Sequence, residues 1–188
     1  PMTRALLDEL VQTLPGVDVI EGYGLTECGP IITLNPRGRN KLGTIGPALP
    51  GFECKVIDSD GNILPQGEAG ELVVRSECNA LGYYNRPDAQ AERFRDGWVY
   101  TGDIVACDPD GWYTFRGRVD DQMQVGGENV FPAEVENILA THPEVRDVSV
   151  VPVPHEVKGQ VPVAFVVRNV GSKLGEKELI DYYIERGP

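Results

Sequence analysis

The first residues of the chain have the hydrophobic pattern of one helix. Apolar side chains recur over residues 4–14 at the i, i+3, i+4, i+7 spacing of a single helix face, namely Leu7, Leu10, Val11 and Leu14. Thr3 is a suitable N-cap residue, and a Pro-Gly pair ends the pattern. Residues 17–20 then predict a short strand, and residues 21–24 predict a turn.

The middle of the chain changes from a loop pattern to strand patterns. Residues 30–51 are rich in glycine and proline and are predicted to be mostly loop. From residue 52 onward, apolar and polar residues alternate between Asp- and Gly-containing turns, which is typical of β-hairpins. The predicted strands are 52–56, 71–75, 98–106 and 112–116, and a short helix is expected over 87–94 with a proline in its first turn.

After Arg118 the pattern is that of a small α+β domain. The predicted elements are a helix that starts at Pro132 and ends before Pro143, strands at 145–153 and 161–170, and a helix at 176–186. The side chains expected to face inward from these two helices are Val135, Ile138, Leu139, Leu179, Ile180, Tyr183 and Ile184. We therefore predict an α+β fold, with a β-rich domain over 1–118 and a small domain over 119–188.

The charge balance limits the possible partners. The chain carries 29 acidic and 17 basic residues, which gives a formal net charge of −12 with no long run of either sign. A nucleic-acid binder needs a basic face to neutralise phosphates, so the composition argues against that class. A single nucleotide needs only one arginine, a few backbone N–H groups and a metal ion. No apolar run predicts a membrane span, and no signal region is visible.

Several residue types that often mark active sites show no site pattern here. The four cysteines are widely spaced and lack any metal-binding motif: Cys28, Cys54, Cys78 and Cys107. Free thiols are typical of a reducing compartment, which predicts a cytoplasmic protein. His142 and His155 each lie near a proline and are expected in surface turns, without a catalytic role. Trp98 and Trp112 are expected in the core of a hairpin.

The run Tyr23-Gly24-Leu25-Thr26-Glu27 is the first of three polar signatures. Glu27 is a hard oxygen ligand of the kind that Mg²⁺ needs, and the Thr26 hydroxyl can donate to a phosphate oxygen. Gly24 allows the backbone to come close to a ligand, and Tyr23 offers a flat face for a base. The alternative is a tight turn that carries an exposed acid.

The second and third signatures are Tyr100-Thr101-Gly102-Asp103 and Gly117-Arg118-Val119-Asp120-Asp121. Asp103 can accept both hydroxyls of a ribose, and its alternative is a turn or capping aspartate. Arg118 can hold a ribose or a phosphate with its planar fork, and its alternative is a structural ion pair. Asp120 and Asp121 are not expected to form a metal pair, because adjacent residues on a strand point to opposite faces.

The third signature leads into Gly126-Gly127-Glu128-Asn129. The absence of side chains at Gly126 and Gly127 suits a place where the backbone approaches a ligand closely. The alternative for this pair is the turn of a hairpin.

In this order, the three signatures resemble the adenylate-forming superfamily, which includes acyl- and aryl-CoA ligases, luciferase and peptide-synthetase adenylation domains. Further stretches that resemble the family are residues 43–51, Gly70-Glu71-Leu72, Gly82-Tyr83 and residues 94–103. Residues 126–136 are similar to the CoA ligases of this superfamily, whereas peptide-synthetase domains usually differ there.

The resemblance implies a carboxylic acid–CoA ligase that uses ATP, Mg²⁺ and coenzyme A. A carboxylate would attack the α-phosphate of ATP to give an acyl-adenylate and pyrophosphate, and the thiol of CoA would then displace AMP. Positioning and charge stabilisation would supply most of the catalysis. The implied roles are adenine packing for Tyr23 beside Gly24, α-phosphate contact for Thr26, Mg²⁺ binding for Glu27, ribose binding for Asp103 and Arg118, a domain hinge at Asp120, and a CoA tunnel at Gly126 and Gly127.

Two departures from the family pattern qualify this reading. Gln124 stands where many relatives have lysine, and this loses a charge-assisted contact worth about 1.5–3 kcal/mol. The family's Ser/Thr/Gly-rich phosphate loop and its C-terminal catalytic lysine have no counterpart in these 188 residues. We therefore expect the chain to be the end of the large domain and the first half of the small domain.

Such a fragment is expected to be inactive by itself and to self-associate through uncovered sheet edges and apolar faces. The alternative functions are a non-catalytic AMP- or CoA-binding module and a β-rich interaction domain. The sequence leaves open whether the acid is aromatic, medium-chain or long-chain.

Overall fold

The computed structural model describes residues 4–187, with side chains from residue 6. Its contacts divide the chain into two compact units, of which the first comprises residues 15–119. The second comprises the residues from Asp120 onward together with the N-terminal helix α1 (Arg4–Thr13). The helix predicted at the start of the chain is confirmed. The division into domains 1–118 and 119–188 stays a prediction.

The first unit contains two antiparallel sheets. Its elements are β1 (Gly22–Leu25), β2 (Gly29–Leu34), β3 (Glu53–Ile57), β4 (Ala69–Arg75), α2 (Pro87–Arg93), β5 (Phe94–Arg95), β6 (Trp98–Cys107) and β7 (Tyr113–Arg118). Strands β1 and β2 form one hairpin, and the larger sheet has the order β3-β4-β6-β5 with β7 also paired to β6. The hairpin predictions for the middle of the chain are confirmed.

One hydrophobic core holds the two sheets of this unit together. Cys28 and Ile32, from the β1–β2 hairpin, pack in the same buried cluster as Leu72 of β4 and Val105 of β6, and all four side chains are fully buried. A buried aliphatic side chain of this size contributes about 1.5–3 kcal/mol to folding. The hairpin is therefore fixed to the larger sheet by apolar burial.

Two of the predictions for residues 17–51 are wrong. Residues 17–20 form no strand, and Val17 is 57% exposed because no neighbouring strand pairs with this segment. The turn predicted at 21–24 is strand β1. The prediction that residues 30–51 are mostly loop is confirmed, because strand β2 ends at Leu34 and the next strand, β3, begins at Glu53. The sequence pattern does not predict β1, because two of its four residues are glycines. A Cβ atom at Gly24 would collide with the carbonyl of Pro30, so this glycine allows the two strands to approach.

Asn35 organises the loop that follows β2. Its side chain is fully buried, and its amide group donates to the carbonyl oxygens of Thr44 (2.5 Å) and Glu21 (3.3 Å). Its side-chain oxygen accepts the backbone N–H of Lys41 at 3.0 Å. Buried polar groups need hydrogen-bond partners. Asn35 provides them for backbone groups of this loop that have no strand partner.

The second unit is a four-stranded sheet with helices. Its remaining elements are β8 (Met123–Val125), β9 (Glu128–Val130), α3 (Pro132–Leu139), β10 (Val145–His155), β11 (Gly159–Arg168) and α4 (Glu176–Arg186). The strand order is β10-β11-β8-β9. Met123, Val135, Leu139 and Val150 form its buried core, with Leu179 and Tyr183 of α4 packed against them. The predicted α+β fold is confirmed.

Several side-chain predictions are corrected by the structure. Ile180 and Ile184 of α4 were expected to face inward, but they are 49% and 70% exposed because the sheet covers only the Leu179–Tyr183 side of this helix. His142 is buried against the ring of Tyr182, with 4.6 Å between ring centroids, and so does not lie in a surface turn.

Two further placements differ from the sequence patterns. Trp98 is half-buried, with the cationic groups of Lys55 and Arg75 at 4.2 and 4.7 Å from its ring centroid, and is not a core residue. Asp120 and Asp121 lie in one turn of 3₁₀-helix (Val119–Asp121) instead of a strand.

Candidate functional site

Strand β6 carries a bulge at the Thr101-Gly102-Asp103 signature. Glu71 of β4 pairs with Ile104 and Val73 pairs with Tyr100, so three residues of β6 lie opposite Leu72 alone. Gly102 has φ +69°, in the left-handed region that favours glycine. Bulges bend a strand and redirect its side chains, and they are common beside active sites.

Side chains satisfy the backbone groups of this bulge. The N–H of Gly102 donates to a carboxylate oxygen of Glu71 at 2.9 Å. The hydroxyl of Thr101 donates to the carbonyl oxygen of Leu72 at 2.7 Å and accepts the N–H of Asp103 at 3.1 Å. The bulge is therefore held by defined hydrogen bonds where regular strand pairing is lost.

The bulge brings three predicted site residues together. Asp103 is 8% exposed and lies directly opposite Arg118 of β7, whose Nη1 is 3.7 Å from Asp103 Oδ1. The hydroxyl of Tyr23, on β1, donates to Asp103 Oδ2 at 2.7 Å. The side chain of Arg118 is 49% exposed, so this ion pair itself contributes at most about 1 kcal/mol. Its exposed donors face solvent.

The environment of Tyr23 extends the pH range over which its phenol stays protonated. Burial, followed by the negative charge of Asp103 and the hydrogen bond to it, raises the pKa of the Tyr23 phenol well above its usual range. The phenol therefore remains a donor to Asp103 at physiological pH and into the alkaline range. That the ring also packs on adenine stays a prediction.

Thr26 and Glu27 lie at the tip of the β1–β2 hairpin. The next residue, Cys28, is fully buried in the core, and its N–H donates to the carbonyl oxygen of Leu25 at 3.1 Å. The carbonyl oxygen of Glu27 accepts the N–H of Ala80 at 2.7 Å. The backbone of the tip is therefore fixed, while Thr26 is exposed and Glu27 is half-buried.

Tyr83 contacts Glu27 and was missed as a site residue by the sequence reasoning. Its hydroxyl donates to Oε1 of Glu27. Its ring packs edge-to-face on Phe94 at 5.4 Å, and its N–H donates to the side chain of Gln90 at 2.8 Å. Burial and the charge of Glu27 raise the pKa of the Tyr83 phenol. Tyr83 lies in the Gly82-Tyr83 stretch that resembles the family, but its partner Glu27 is 56 residues away along the chain.

The oxygen groups at this tip suit a divalent cation whose coordination comes mainly from a bound nucleotide and water. Tyr83 occupies one carboxylate oxygen of Glu27. In the part of the chain that the structure describes, no cluster of three or more His, Cys, Asp or Glu residues could enclose a metal ion. Mg²⁺ in nucleotide sites usually takes one or two carboxylates together with phosphate oxygens and water. One carboxylate beside the Thr26 hydroxyl is compatible with that arrangement.

The remaining predicted residues lie in the second unit. Gly126 and Gly127 form the turn between β8 and β9, with φ of +62° and +95° and open space where a Cβ atom would lie. Turn geometry alone accounts for both glycines. Asp120 is exposed in the 3₁₀ turn. The hinge at Asp120 and the CoA contacts of the two glycines stay predictions.

Two cysteines of the first unit, Cys28 and Cys54, have no nucleophilic character. All four thiols of the chain are free. Burial raises the pKa of Cys28 to about 12 and, together with the neighbouring thiols, that of Cys54 to about 12. Thiols with such pKa values stay protonated and inert at neutral pH.

Two family models match the chain. Residues 1–84 match the model described as AMP-binding enzyme, and residues 134–186 match the AMP-binding enzyme C-terminal domain. The chain belongs to the AMP-binding enzyme family. Asp103 and Arg118 lie between the two matched ranges. Their candidate role therefore depends on the geometry described above and on relatives whose match includes both residues.

Curated relatives extend over nearly the whole of this AMP-binding family member. It is 41% identical over 180 residues to a long-chain-fatty-acid–CoA ligase of Yersinia pestis, with 95% of this chain and 32% of the relative covered. It is 37% identical over 186 residues to 4-coumarate–CoA ligase-like 6 of Arabidopsis thaliana, with 97% and 33% covered. The chain thus spans about a third of the length of the curated relatives it matches.

Solved structures of AMP-binding enzymes have the same fold. The anthranilate CoA ligase AuaEII in complex with anthranoyl-AMP matches with a TM-score of 0.89 and 34% identity, covering 98% of this chain and 36% of AuaEII. ATP-bound MatB from Rhodopseudomonas palustris matches with a TM-score of 0.90 and 33% identity, covering 98% and 37%. Of the helices in residues 4–187, none has both the length and the apolar character needed to cross a bilayer.

The buried phenol of Tyr23 predicts a specific loss of stability at alkaline pH. Its pKa in the folded chain lies above the ordinary value of 10.0, so its contribution is complete below pH 10 and is lost as the pH rises further. We expect Tyr23→Phe to lower the free energy of unfolding by about 1–2 kcal/mol at pH 8, because a hydrogen bond to a carboxylate is lost. Above pH 10, the variant should lose stability less steeply than wild type, by up to about 1.4 kcal/mol per pH unit.

Urea unfolding at several pH values measures both effects. Tyr84→Phe is the matched control, because Tyr84 is 91% exposed and should behave like wild type throughout. Equal alkaline slopes for wild type and Tyr23→Phe would contradict the buried, protonated state of this phenol.

Proposed function

We propose that this chain is the nucleotide-handling part of a carboxylic acid–CoA ligase. The whole enzyme joins a carboxylate to AMP from ATP with release of pyrophosphate, and the thiol of CoA then displaces AMP to form the thioester. The observation that carries the proposal is the Tyr23–Asp103–Arg118 cluster on the bulge of β6. The names of the relatives, which are CoA ligases for long-chain fatty acids and anthranilate, support it.

The cluster has hydrogen-bonding groups available where a ribose would bind. Asp103 Oδ2 is occupied by Tyr23, whereas Oδ1 has Arg118 at 3.7 Å, beyond a normal hydrogen bond. An ionised carboxylate accepts through both oxygens, so Oδ1 can take the hydroxyl groups of a ribose. The half-exposed guanidinium of Arg118 offers further donors to the same sugar or to a phosphate. ATP and AMP are thus the proposed nucleotides.

The tip of the β1–β2 hairpin is the proposed place for the phosphates. Glu27 would hold Mg²⁺ through the carboxylate oxygen that Tyr83 leaves free, and the Thr26 hydroxyl would donate to the α-phosphate. Mg²⁺ supplies charge neutralisation for the phosphate oxygens when it is bound. The residues of this chain orient the phosphates, because the backbone of the tip is fixed by Cys28 and Ala80.

The second unit would serve the CoA half-reaction. Asp120 is the proposed hinge, and Gly126 and Gly127 are the proposed contacts of CoA. Gln124, where many relatives have lysine, donates to the side chain of Asn129 at 3.4 Å on an exposed surface. This amide can still bind a polar group, although without a positive charge. The four free thiols favour a reducing compartment such as the cytoplasm.

The substrate acid is fatty or aromatic under this proposal. The relatives include ligases named for long-chain fatty acids and for anthranilate, and a protein named 4-coumarate–CoA ligase-like 6. The described residues favour none of these classes.

AMP binding tests the proposed ribose site. We expect wild type to bind AMP in calorimetry, and Asp103→Ala to bind it at least about tenfold more weakly, because hydrogen bonds to a charged group are worth about 1.5–3 kcal/mol. Asp60→Ala, at an exposed turn of the same unit, is the control and should retain the wild-type affinity. Absence of heat with millimolar AMP would contradict the proposal.

That the 188 residues alone do not form an adenylate also stays a prediction. We expect no ATP–pyrophosphate exchange from the purified chain above the level of a Glu27→Ala variant, with long-chain and aromatic acids as substrates. Exchange above that control would show that the chain carries a complete catalytic site.

Self-association is predicted from one exposed apolar face of the second unit. Val151, Val153, Val163, Phe165 and Val167 lie on the same face of the paired strands β10 and β11 and are 37–63% exposed. Contiguous apolar surface of this kind favours association. Light scattering should show a mass that rises with concentration, and Phe165→Asp should reduce the rise. Val157→Asp, at an 87% exposed turn position, is the control. A monomer at millimolar concentration would contradict this prediction.

A further inference from the structure

We propose that Glu71 is a positioning residue for ribose recognition. It accepts the N–H of Gly102 and thereby fixes the bulge that directs Asp103 toward the sugar. The inference rests on the proposed function, because it concerns how the same nucleotide site is held. Glu71 belongs to the Gly70-Glu71-Leu72 stretch, which resembles the family and to which that resemblance assigns no chemical role.

The register of the sheet explains why this carboxylate reaches the bulge. Glu71 lies on β4 at the residue where the regular pairing with β6 stops, opposite Ile104. The N–H of Gly102 belongs to the extra residues of β6 and has no backbone partner across the ladder. The Glu71 carboxylate takes its place at 2.9 Å. A charged acceptor gives a stronger hydrogen bond than a carbonyl would.

The rest of the bulge leaves Gly102 little freedom to find another acceptor. A Cβ atom at this position would collide with the guanidinium of Arg93, which itself donates to the carbonyl oxygen of Tyr100 at 3.2 Å. On the adjacent residue, the hydroxyl of Thr101 is already committed to Leu72 and to Asp103. Loss of the Glu71 carboxylate therefore acts on the bulge itself, and through it on Asp103, which is one residue away.

If Glu71 has a purely structural role, its loss weakens the binding of all nucleotides alike. If Glu71 positions Asp103, its loss weakens only the contribution of the ribose hydroxyl groups to binding. We therefore compare the affinities for AMP and 2′,3′-dideoxy-AMP in the 188-residue chain by calorimetry. Wild type should prefer AMP by about tenfold or more, as expected for hydrogen bonds to a charged group. Glu71→Ala should lose most of this preference while its affinity for 2′,3′-dideoxy-AMP stays within about twofold of wild type.

Three further variants separate geometry from charge and folding. Glu71→Gln retains an acceptor oxygen at the same reach and should restore most of the preference. Glu71→Asp keeps the charge but is shorter by one methylene, so it should resemble Glu71→Ala and serves if the alanine variant does not fold. Glu53→Ala removes a carboxylate from β3 of the same sheet, where it pairs with Arg75 on an exposed surface, and should behave like wild type.

A second measurement does not depend on nucleotide binding. The ¹³Cζ signal of Tyr23 reports its hydrogen bond to Asp103. We expect this signal to move in Glu71→Ala and Glu71→Asp, and to stay in Glu71→Gln and Glu53→Ala. If Glu71→Ala retains both the preference for AMP and the Tyr23 signal, the inference is overturned. If wild type binds no AMP, the proposed function fails and ribose positioning fails with it, while the Tyr23 signal still decides whether Glu71 holds Asp103.

Discussion

The first unit depends on one constraint, which is that the irregular backbone of β6 must be satisfied where three residues face one. Regular pairing cannot do this, because Thr101, Gly102 and Asp103 have only Leu72 opposite them. Two side chains, those of Glu71 and Thr101, supply the missing partners. Because these partners are fixed by the sheet, Asp103 is held at one orientation between Tyr23 and Arg118. The residue types next to Asp103 in its motif are thus explained by the hydrogen bonding of the backbone as well as by a role in binding.

The β1–β2 hairpin solves a different problem, which is to hold exposed polar groups still. Its turn carries Thr26 and Glu27, and loops of this kind are usually mobile. Here the adjacent Cys28 is buried in the core, and Ala80 binds the backbone of the turn. Tyr83 then restrains the carboxylate of Glu27. The buried Cys28 and the loop that carries Ala80 and Tyr83 therefore fix the geometry of this surface turn.

Local patterns in the sequence were sufficient for the helices and for most hairpins. Prolines at the starts of α2 and α3 and the apolar spacing of α1, α3 and α4 predicted these elements, because such signals act within a few residues. Strand β1 was missed because its glycines serve close contact with β2 and have no strand pattern of their own. The exposed Ile180 and Ile184 show that periodicity defines a helix face but not which part of that face is covered.

For the site, the motif residues were identifiable and their partners were not. Tyr23, Asp103 and Arg118 could be named from the signatures, since each residue type suits a nucleotide. Glu71 and Tyr83 have partners 31 and 56 positions away, and only the paired strands and packed loops bring them together. Contacts of such long range leave no trace in the spacing of a single sequence.

The distance along the chain between Tyr23 and Asp103, 80 residues, has a thermodynamic consequence. No local segment of the chain contains both groups, so the site exists only in molecules whose first unit has folded as a whole. A ligand of this site binds the native state alone, and by mass action each tenfold excess over its dissociation constant adds about 1.4 kcal/mol to the stability of that unit. If the proposed nucleotide binds at this site, its occupancy and the folding of the first unit are thermodynamically coupled.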